Sequence, residues 1–253
     1  MEIVDTHAHL ADAAFDPDRA AVLDRARAAG VRAVIAVGET LADAERNLAL
    51  AERHPVLRPA AGLYPGRADA AAAEALAAFI RRRRDRLVAI GEVGLDFRLA
   101  ADTPARELQR RVFAAFIDLA LELDLPLNVH SRSAGRHAVA MLLERGARRV
   151  QLHAFDGKAA SALPAVEAGY FFSIPPSVVR SRQKQKLVRR LPLSALLVET
   201  DSPVLGPRQG ERNEPANAAL VVAAVAEIKA VAPEAVAEAV LDNTRRLYGP
   251  GVA

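Results

Sequence analysis

Residues 2–10 read Glu2-Ile3-Val4-Asp5-Thr6-His7-Ala8-His9-Leu10, a short apolar run that leads into two histidines one residue apart. The apolar run predicts a first strand over residues 2–5. A doubly wound open sheet usually carries a glycine-rich phosphate-binding turn after its first strand. His-Ala-His stands in that place, so this stretch favours a barrel whose chemistry lies at the ends of its strands.

Outward from this stretch, a strand followed by a helix is repeated along the chain without a linker or a shift in composition. Predicted strands cover residues 2–5, 33–37, 58–62, 87–91, 127–129, 150–153, 170–173 and 196–199. Predicted helices cover 17–29, 41–53, 68–84, 104–123, 133–145, 159–168, 177–190, 215–231 and 233–247. Eight such units in 253 residues predict a single domain, 1–253, with an α/β (β/α)₈ TIM-type barrel of the metallo-dependent hydrolase type and an extra C-terminal helix.

Composition narrows the class of protein. The chain has no cysteine, which excludes disulfides and thiolate metal sites. A formal charge of +3 permits a phosphate-bearing partner without requiring one, and 4% aromatic residues argue against a binding surface built on base stacking. No apolar run is long enough for a bilayer and the N-terminus does not read as a signal peptide. We therefore expect a cytoplasmic protein with no membrane association and no obligate protein partner.

Polar residues of metal-binding type stand at the ends of five predicted strands. The barrel fold places such ends around one mouth, where active sites are built. Residues i and i+2 of a strand point to the same side, so His7 and His9 are expected to face one point. The candidate ligands from all five strand ends are His7, His9, Glu92, His130, His153 and Asp201.

Six ligands are too many for one tetrahedral ion and suit two. Two cations close together repel, and an anionic bridge lowers that cost. Glu92 is the carboxylate at the end of strand 4, so we expect it to bridge one ion held with His7, His9 and Asp201 and a second held with His130 and His153. Imidazole and carboxylate ligands do not choose among Zn, Mg, Mn, Co and Ni.

Several segments, in order and over nearly the whole chain, resemble those of the TatD family of metal-dependent hydrolases. They are residues 5–10 (DTHAHL), 91–97 (GEVGLDF), 130–132 (HSR), 153–157 (HAFDG), 199–203 (ETDSP), 212–217 (RNEPAN) and 243–249 (NTRRLYG). The resemblance implies a barrel of the amidohydrolase superfamily, two divalent metal ions and the six ligands named above. It also implies a deoxyribonuclease, often a 3′-to-5′ exonuclease acting on single strands, and some relatives are described as acting on D-aminoacyl-tRNA.

One position departs from the family pattern. Many members read Gly-x-His-Pro after strand 3, whereas this chain reads Gly62-Leu63-Tyr64-Pro65. No ligand is lost, so the change is expected to affect substrate preference, and Tyr64 is a substrate-binding candidate.

The expected mechanism is hydrolysis by water activated between two metals, with Asp201 as general base and Glu92 as the bridge. Arg132, at the end of strand 5, is expected to bind substrate phosphate because guanidinium pairs well with phosphate oxygens. The expected substrate is DNA, single-stranded or at frayed ends. An ester or amide hydrolase such as a D-aminoacyl-tRNA deacylase is the alternative on the same site, and a non-catalytic metal-dependent binder is a second.

Overall fold

Eight parallel strands form the centre of the computed structural model, which describes residues 1–252. They are β1 (Ile3–Ala8), β2 (Val31–Ala36), β3 (Leu57–Ala61), β4 (Ala89–Gly94), β5 (Leu127–His130), β6 (Val150–Leu152), β7 (Phe171–Ile174) and β8 (Leu196–Val198). Each strand pairs in parallel with the next one in the chain, from β1 to β8. This order is that of a (β/α)₈ barrel, so the predicted fold is confirmed and the doubly wound alternative is wrong.

Helices connect the strands and one further helix follows. They are α1 (Arg19–Ala28), α2 (Leu41–Arg53), α3 (Ala70–Arg83), α4 (Thr103–Leu123), α5 (Gly135–Glu144), α6 (Ala159–Glu167), α7 (Arg182–Arg190), α8 (Ala218–Lys229) and α9 (Pro233–Tyr248). The helix predicted at 41–53 matches α2, whose N-cap Thr40 accepts from the amide of Asp43. Within the described residues, no helix combines the length and the apolar composition needed to cross a membrane.

The sheet closes through the residues that follow β8. The amide of Asp201 donates to the carbonyl of His7 over 2.8 Å, and the amide of His9 donates to the carbonyl of Ser202 over 2.8 Å. The hydroxyl of Thr6 also donates to the carbonyl of Val198 over 2.9 Å. These bonds bring the ends of the first and last strands together, which places His7, His9 and Asp201 side by side.

Nearly every strand residue is buried, because the interior is filled by side chains and the helices cover the outside. Helix α9 adds a second contact with the interior. The hydroxyl of its buried Tyr248 donates to Gln151 Oε1 over 2.6 Å and accepts from Asn128 Nδ2 over 3.3 Å. The extra C-terminal helix is therefore part of the barrel's packing.

Most predicted boundaries differ from the structure by one to three residues, and three of the differences bear on the site. Strand β1 runs to Ala8 instead of residue 5, and β4 runs to Gly94 instead of residue 91, because pairing with β2 and β5 continues there. His7 and Glu92 therefore lie within their strands. The helix predicted from residue 177 begins instead at Arg182, after a 3₁₀ turn at Pro176–Val179, where Ser181 accepts from the amide of Lys184.

Two glycines let β4 approach β5 closely enough to place Glu92 beside His130. A Cβ at Gly91 would lie 2.5 Å from Cβ of Asn128, and one at Gly94 would lie 2.0 Å from the carbonyl oxygen of His130. Gly94 also has φ +141°, a conformation that side chains disfavour. The two glycines that flank Glu92 are thus required by the tight contact between these strands.

Candidate active site

The polar residues predicted from the strand ends converge on one cavity at the carboxyl end of the barrel. The cavity has a volume of about 350 Å³. Its lining includes five of the six predicted ligands, namely His9, Glu92, His130, His153 and Asp201, together with the predicted substrate-binding residues Tyr64 and Arg132. His7 lies directly below, fully buried, with its ring stacked on that of His153 at 3.9 Å between centroids.

The first group of side chains joins β1 to the residues after β8. Nε2 of His7 lies 3.2 Å from Nε2 of His9. Asp201 Oδ1 lies 3.4 Å from Nε2 of His7 and 3.3 Å from Nε2 of His9. The spacing of two residues along β1 therefore directs both imidazoles at one carboxylate oxygen, as the alternation of a strand predicts.

The second group joins β4, β5 and the end of β6. Glu92 Oε1 lies 2.6 Å from His130 Nδ1 and 2.8 Å from His153 Nε2, and these two nitrogens are 3.1 Å apart. The other oxygen of Glu92, Oε2, lies 3.5 Å from His9 Nε2. One carboxylate thus faces both groups, with a different oxygen towards each.

Both groups have the donor chemistry and spacing of divalent metal sites. Donors of His7, His9 and Asp201, and donors of Glu92, His130 and His153, lie within 4.8 Å of one another in each set. Tetrahedral ligands at 2.0–2.1 Å from an ion lie about 3.3 Å apart, close to the observed separations. The residues present therefore fit divalent cations of the kind that imidazole and carboxylate bind.

The balance of buried charge supports the same conclusion. Among the described residues, five buried carboxylates lie in or beside this site, whereas one lysine is buried; the carboxylates are Asp5, Glu92, Asp96, Glu199 and Asp201, and the lysine is Lys184. Buried charge needs a partner of opposite sign. Burial lowers the pKa values of His7 and His130, but the nearby carboxylates outweigh it and raise both, so these histidines supply part of the positive charge in the metal-free site. Divalent cations would supply it when bound.

Two residues outside the ligand set fix the orientation of the histidines. Asn128 Nδ2 donates to the carbonyl of Thr6 over 2.9 Å, which turns its Oδ1 towards His7 Nδ1 at 2.8 Å. His7 Nδ1 therefore carries the hydrogen and Nε2 is left as a ligand atom. In the same way, Asp96 Oδ2 lies 3.1 Å from His130 Nε2 and leaves Nδ1 facing Glu92.

Tyr64 joins the network through the same oxygen of Asp96, to which its hydroxyl donates over 3.1 Å. Burial, together with the nearby charge of Asp96, raises the pKa of the Tyr64 phenol above its ordinary value, so it stays protonated. Its ring also meets that of His130 edge-on at 5.1 Å. Tyr64 is consequently a neutral hydrogen-bond donor at the wall of the cavity.

The pKa values of Asp201 and Glu92 depend on the histidines that contact them. Burial opposes the charged form of Asp201, but hydrogen bonds from His7 and His9 outweigh it and hold the pKa of Asp201 well below its usual range. Burial likewise opposes ionisation of Glu92, and the charges of His153 and His130 outweigh it, so the pKa of Glu92 is lowered. Both carboxylates are therefore ionised and able to bind cations.

Glu199 lies deeper than the ligands and supports the loop that carries His153. Its Oε1 accepts from the amide of Ala154 over 2.8 Å and its Oε2 accepts from the hydroxyl of Ser173 over 2.5 Å. Burial is the main cause that raises the pKa of Glu199 to about 7. Glu199 Oε2 also lies 3.9 Å from His153 Nδ1, and Glu199 forms a further set of possible metal donors with His7 and His153.

Arg132 is exposed and lines the cavity, as a residue that meets substrate must. Three further exposed arginines at strand-end loops are outside the cavity lining, namely Arg67, Arg98 and Arg208. Arg67 lies 3.6 Å from Glu39, and Arg208 lies 3.4 Å from Glu211. Of these arginines, Arg132 alone is placed against the site.

Sequence reasoning missed two residues, Asn128 and Glu39, that the structure brings to the site. Asn128 could have been found by strand alternation, because it is two residues before His130 and points to the same side. Glu39 follows β2 and lines the cavity with His9 and Glu92. Its position just after a predicted strand is the sequence feature that could have identified it as a site residue.

Lys184 is the third residue that the structure brings to the site: from the sequence it is expected on a solvated helix end or in a phosphate-steering patch, and the first of these is wrong, since Lys184 is 8% exposed and lines the cavity. Lys184 shares the buried face of α7 with Leu187, Val188 and the following Leu191. The i, i+3, i+4, i+7 spacing of these residues was the available signal.

A parallel barrel with histidines and carboxylates gathered at the carboxyl ends of its strands defines the class of metal-dependent hydrolases. Comparison with known proteins narrows this class. The sequence profile of the family described as TatD related DNase matches residues 4–249. The chain therefore belongs to the TatD family.

Individual relatives agree with this assignment. The chain is 45% identical over 258 residues to the human protein named deoxyribonuclease TATDN3, covering 97% of this chain and 94% of that protein. It is 35% identical over 254 residues to YjjV of Escherichia coli, named an uncharacterized metal-dependent hydrolase, covering 97% of each. The crystal structure of that TatD homologue superposes with a TM-score of 0.90 at 33% identity, over 97% of each chain.

Proposed function

We propose that this metal-dependent hydrolase is a deoxyribonuclease that removes nucleotides from the 3′ end of single-stranded or frayed DNA. The observation that carries the proposal is the position of Glu92, whose two oxygens face two separate sets of metal-binding donors. Two divalent ions on either side of a carboxylate are a recurrent arrangement for phosphodiester hydrolysis. The name deoxyribonuclease carried by the human relative supports DNA as the substrate.

The proposed ligands follow the two groups of donors. His7, His9 and Asp201 would hold one ion, His130 and His153 the other, and Glu92 both. Bound there, the ions would acidify a water molecule and offset the negative charge that develops on the phosphoryl oxygens.

Asp201 is the proposed general base. Its Oδ1 faces His7 and His9, whereas Oδ2 makes no hydrogen bond to any other residue in the described part of the chain. We assign to Oδ2 the proton of the attacking water, which Asp201 then returns to the leaving oxygen. The overall reaction consumes one water and yields an alcohol and a phosphate monoester.

The dimensions of the cavity favour a chain end over a duplex. At about 350 Å³ it lies at the small end of ligand pockets. A phosphodiester inside a duplex would have to be unpaired before reaching the buried donors, which adds free energy that a frayed end avoids. Arg132 and Tyr64, on the cavity wall, are the proposed contacts for the nucleotide next to the cleaved bond.

The test uses protein stripped of metal and reloaded with Mg, Mn, Zn, Co or Ni. Single-stranded oligonucleotides labelled at the 3′ or the 5′ end report cleavage and its polarity, and a charged D-aminoacyl-tRNA is assayed alongside. Asp201→Asn is the control, because it keeps the shape of the side chain and removes a base.

We expect metal-dependent shortening from the 3′ end that the variant loses. An intact oligonucleotide with deacylated tRNA would overturn the assignment to DNA, and normal cleavage by Asp201→Asn would overturn the role of that residue.

A further inference from the structure

Lys184 occupies an unusual place for a lysine. It lies on α7, is 8% exposed and lines the same cavity as the proposed metal ligands. It is the one lysine or arginine that is buried among residues 1–252. Lysine is rarely buried without a specific partner, because the ammonium gives up its hydration. Its position therefore requires a chemical reason.

The contacts of Lys184 satisfy only part of its ammonium. Nζ donates one hydrogen bond, to the carbonyl of Ala154 over 2.9 Å, out of the three that an ammonium can make. Burial lowers the pKa of Lys184, and the carboxylates of Glu199, Asp201 and Asp156 act from a distance in the opposite direction. None of these carboxylates forms an ion pair with Lys184 within 4 Å in the described structure. Two of its three N–H donors therefore have no hydrogen-bond partner among the described residues.

The backbone around Lys184 holds the side chain in place. Gln183 Nε2 donates to the carbonyl of Gly157 over 2.8 Å, which joins the start of α7 to the loop after β6. Ser181 caps the helix by accepting from the amide of Lys184. Because Ala154 directly follows His153, the same loop carries a proposed metal ligand and the partner of Lys184. The ammonium is therefore fixed next to the proposed metal ligands.

We propose that Lys184 binds the non-bridging oxygens of the phosphate that is cleaved. This inference rests on the proposed function, because the cavity must accept a phosphodiester anion. A fixed, partly unsatisfied ammonium beside metal-binding donors complements a phosphate that carries charge on two outer oxygens. Arg132 is exposed by contrast, and we assign it to a neighbouring phosphate.

A purely structural role for Lys184 makes a different prediction. Its bond to Ala154, a residue with φ +41°, could serve to hold the loop of His153. Loss of such a role would lower metal content and stability. Loss of a phosphate contact would instead lower the affinity for phosphate while the protein keeps its metal. Metal content and phosphate affinity therefore separate the two roles.

The experiment compares three variants with the wild type after metal loading. Lys184→Met removes the charge and the donors, and Lys184→Gln removes the charge but keeps an N–H donor for Ala154. Lys186→Met is the matched control, since Lys186 is an exposed lysine on the same helix. Metal content, the unfolding temperature, the affinity for inorganic phosphate by calorimetry and the KM and kcat for a single-stranded oligonucleotide are measured for each.

We expect both Lys184 variants to retain metal and to bind inorganic phosphate about 10- to 100-fold more weakly, with a comparable rise in KM, because a hydrogen bond to a charged group is lost. Lys186→Met should stay within twofold of the wild type. Unchanged phosphate affinity and KM in Lys184→Gln, or a loss of metal content that accounts for the whole effect in both variants, would overturn the inference.

Failure of the proposed function gives a separate result. If the wild type cleaves no DNA but binds phosphate in a manner that depends on Lys184, the anion site stands and the nuclease proposal fails. If the wild type cleaves DNA and the variants match it, the nuclease proposal stands and the role of Lys184 fails.

Discussion

Replacing Asn128 by Ala should weaken metal binding from a position that contributes no ligand. Asn128 is fully buried and makes three hydrogen bonds, at 2.8 Å to His7, 2.9 Å to Thr6 and 3.3 Å to Tyr248. Truncation leaves His7 Nδ1 without its partner, at a cost of about 1–3 kcal/mol, whereas the carbonyl of Thr6 keeps a hydrogen bond from Gln151 Nε2 at 3.3 Å. We therefore expect the free energy of unfolding of the metal-free protein to fall by about 1–3 kcal/mol.

The same change frees the ring of His7 to rotate and to exchange its tautomer. Loss of a group that orients a metal-binding histidine typically weakens metal affinity by about 10- to 100-fold. Competition between the protein and a chelator, titrated with Zn or Mn, measures this affinity. Urea unfolding of the metal-free protein measures the change in stability separately.

Asn243→Ala provides the matched control. Asn243 is also a buried asparagine, and its Nδ2 donates to the carbonyls of Leu193 and Leu196 over 2.9 and 2.7 Å, away from the proposed ligands. It should lose a similar free energy of unfolding and keep the metal affinity of the wild type. Equal metal affinities in the two variants would refute the claim that Asn128 orients His7.

Three further changes test other parts of the structure. Gly94→Ala should lower the free energy of unfolding by more than about 3 kcal/mol, because the new Cβ would lie 2.0 Å from the carbonyl oxygen of His130 at φ +141°. The control is Gly146→Ala, at φ +67° in open space, which should lower it by about 1–2 kcal/mol. Similar urea unfolding midpoints for the two variants would contradict the packing argument. Tyr64→Phe should retain metal and raise KM for an oligonucleotide by up to about tenfold, because one hydrogen bond is lost. Loss of bound metal in this variant would show instead that Tyr64 holds the metal-binding side chains in position. Chelation of metal should lower the unfolding temperature, since an ion at 100 times its Kd adds about 2.7 kcal/mol; a temperature unaffected by a chelator would argue against a resident metal.

The sequence alone determined the fold and the composition of the candidate site. The repeat of strand and helix is a local property, because period 2 and period 3.6 are imposed by backbone geometry. In a parallel barrel the carboxyl ends of all strands lie at the same rim, so residues at those ends lie near one another. For that reason His7, Glu92, His130 and Asp201 could be predicted to meet although they are far apart in the sequence.

The tertiary structure decided how those side chains are held and what else reaches them. The contact of Asn128 with His7 joins residues 121 positions apart, and it depends on the close approach of β4 and β5. The burial of Lys184 depends on the rotation of α7 against the barrel and on the loop after β6. A local pattern indicates which face of a strand or helix is buried, and packing between elements decides which residue each side chain on that face contacts. The sequence therefore determined which donors meet, and only the tertiary structure placed an ammonium beside them.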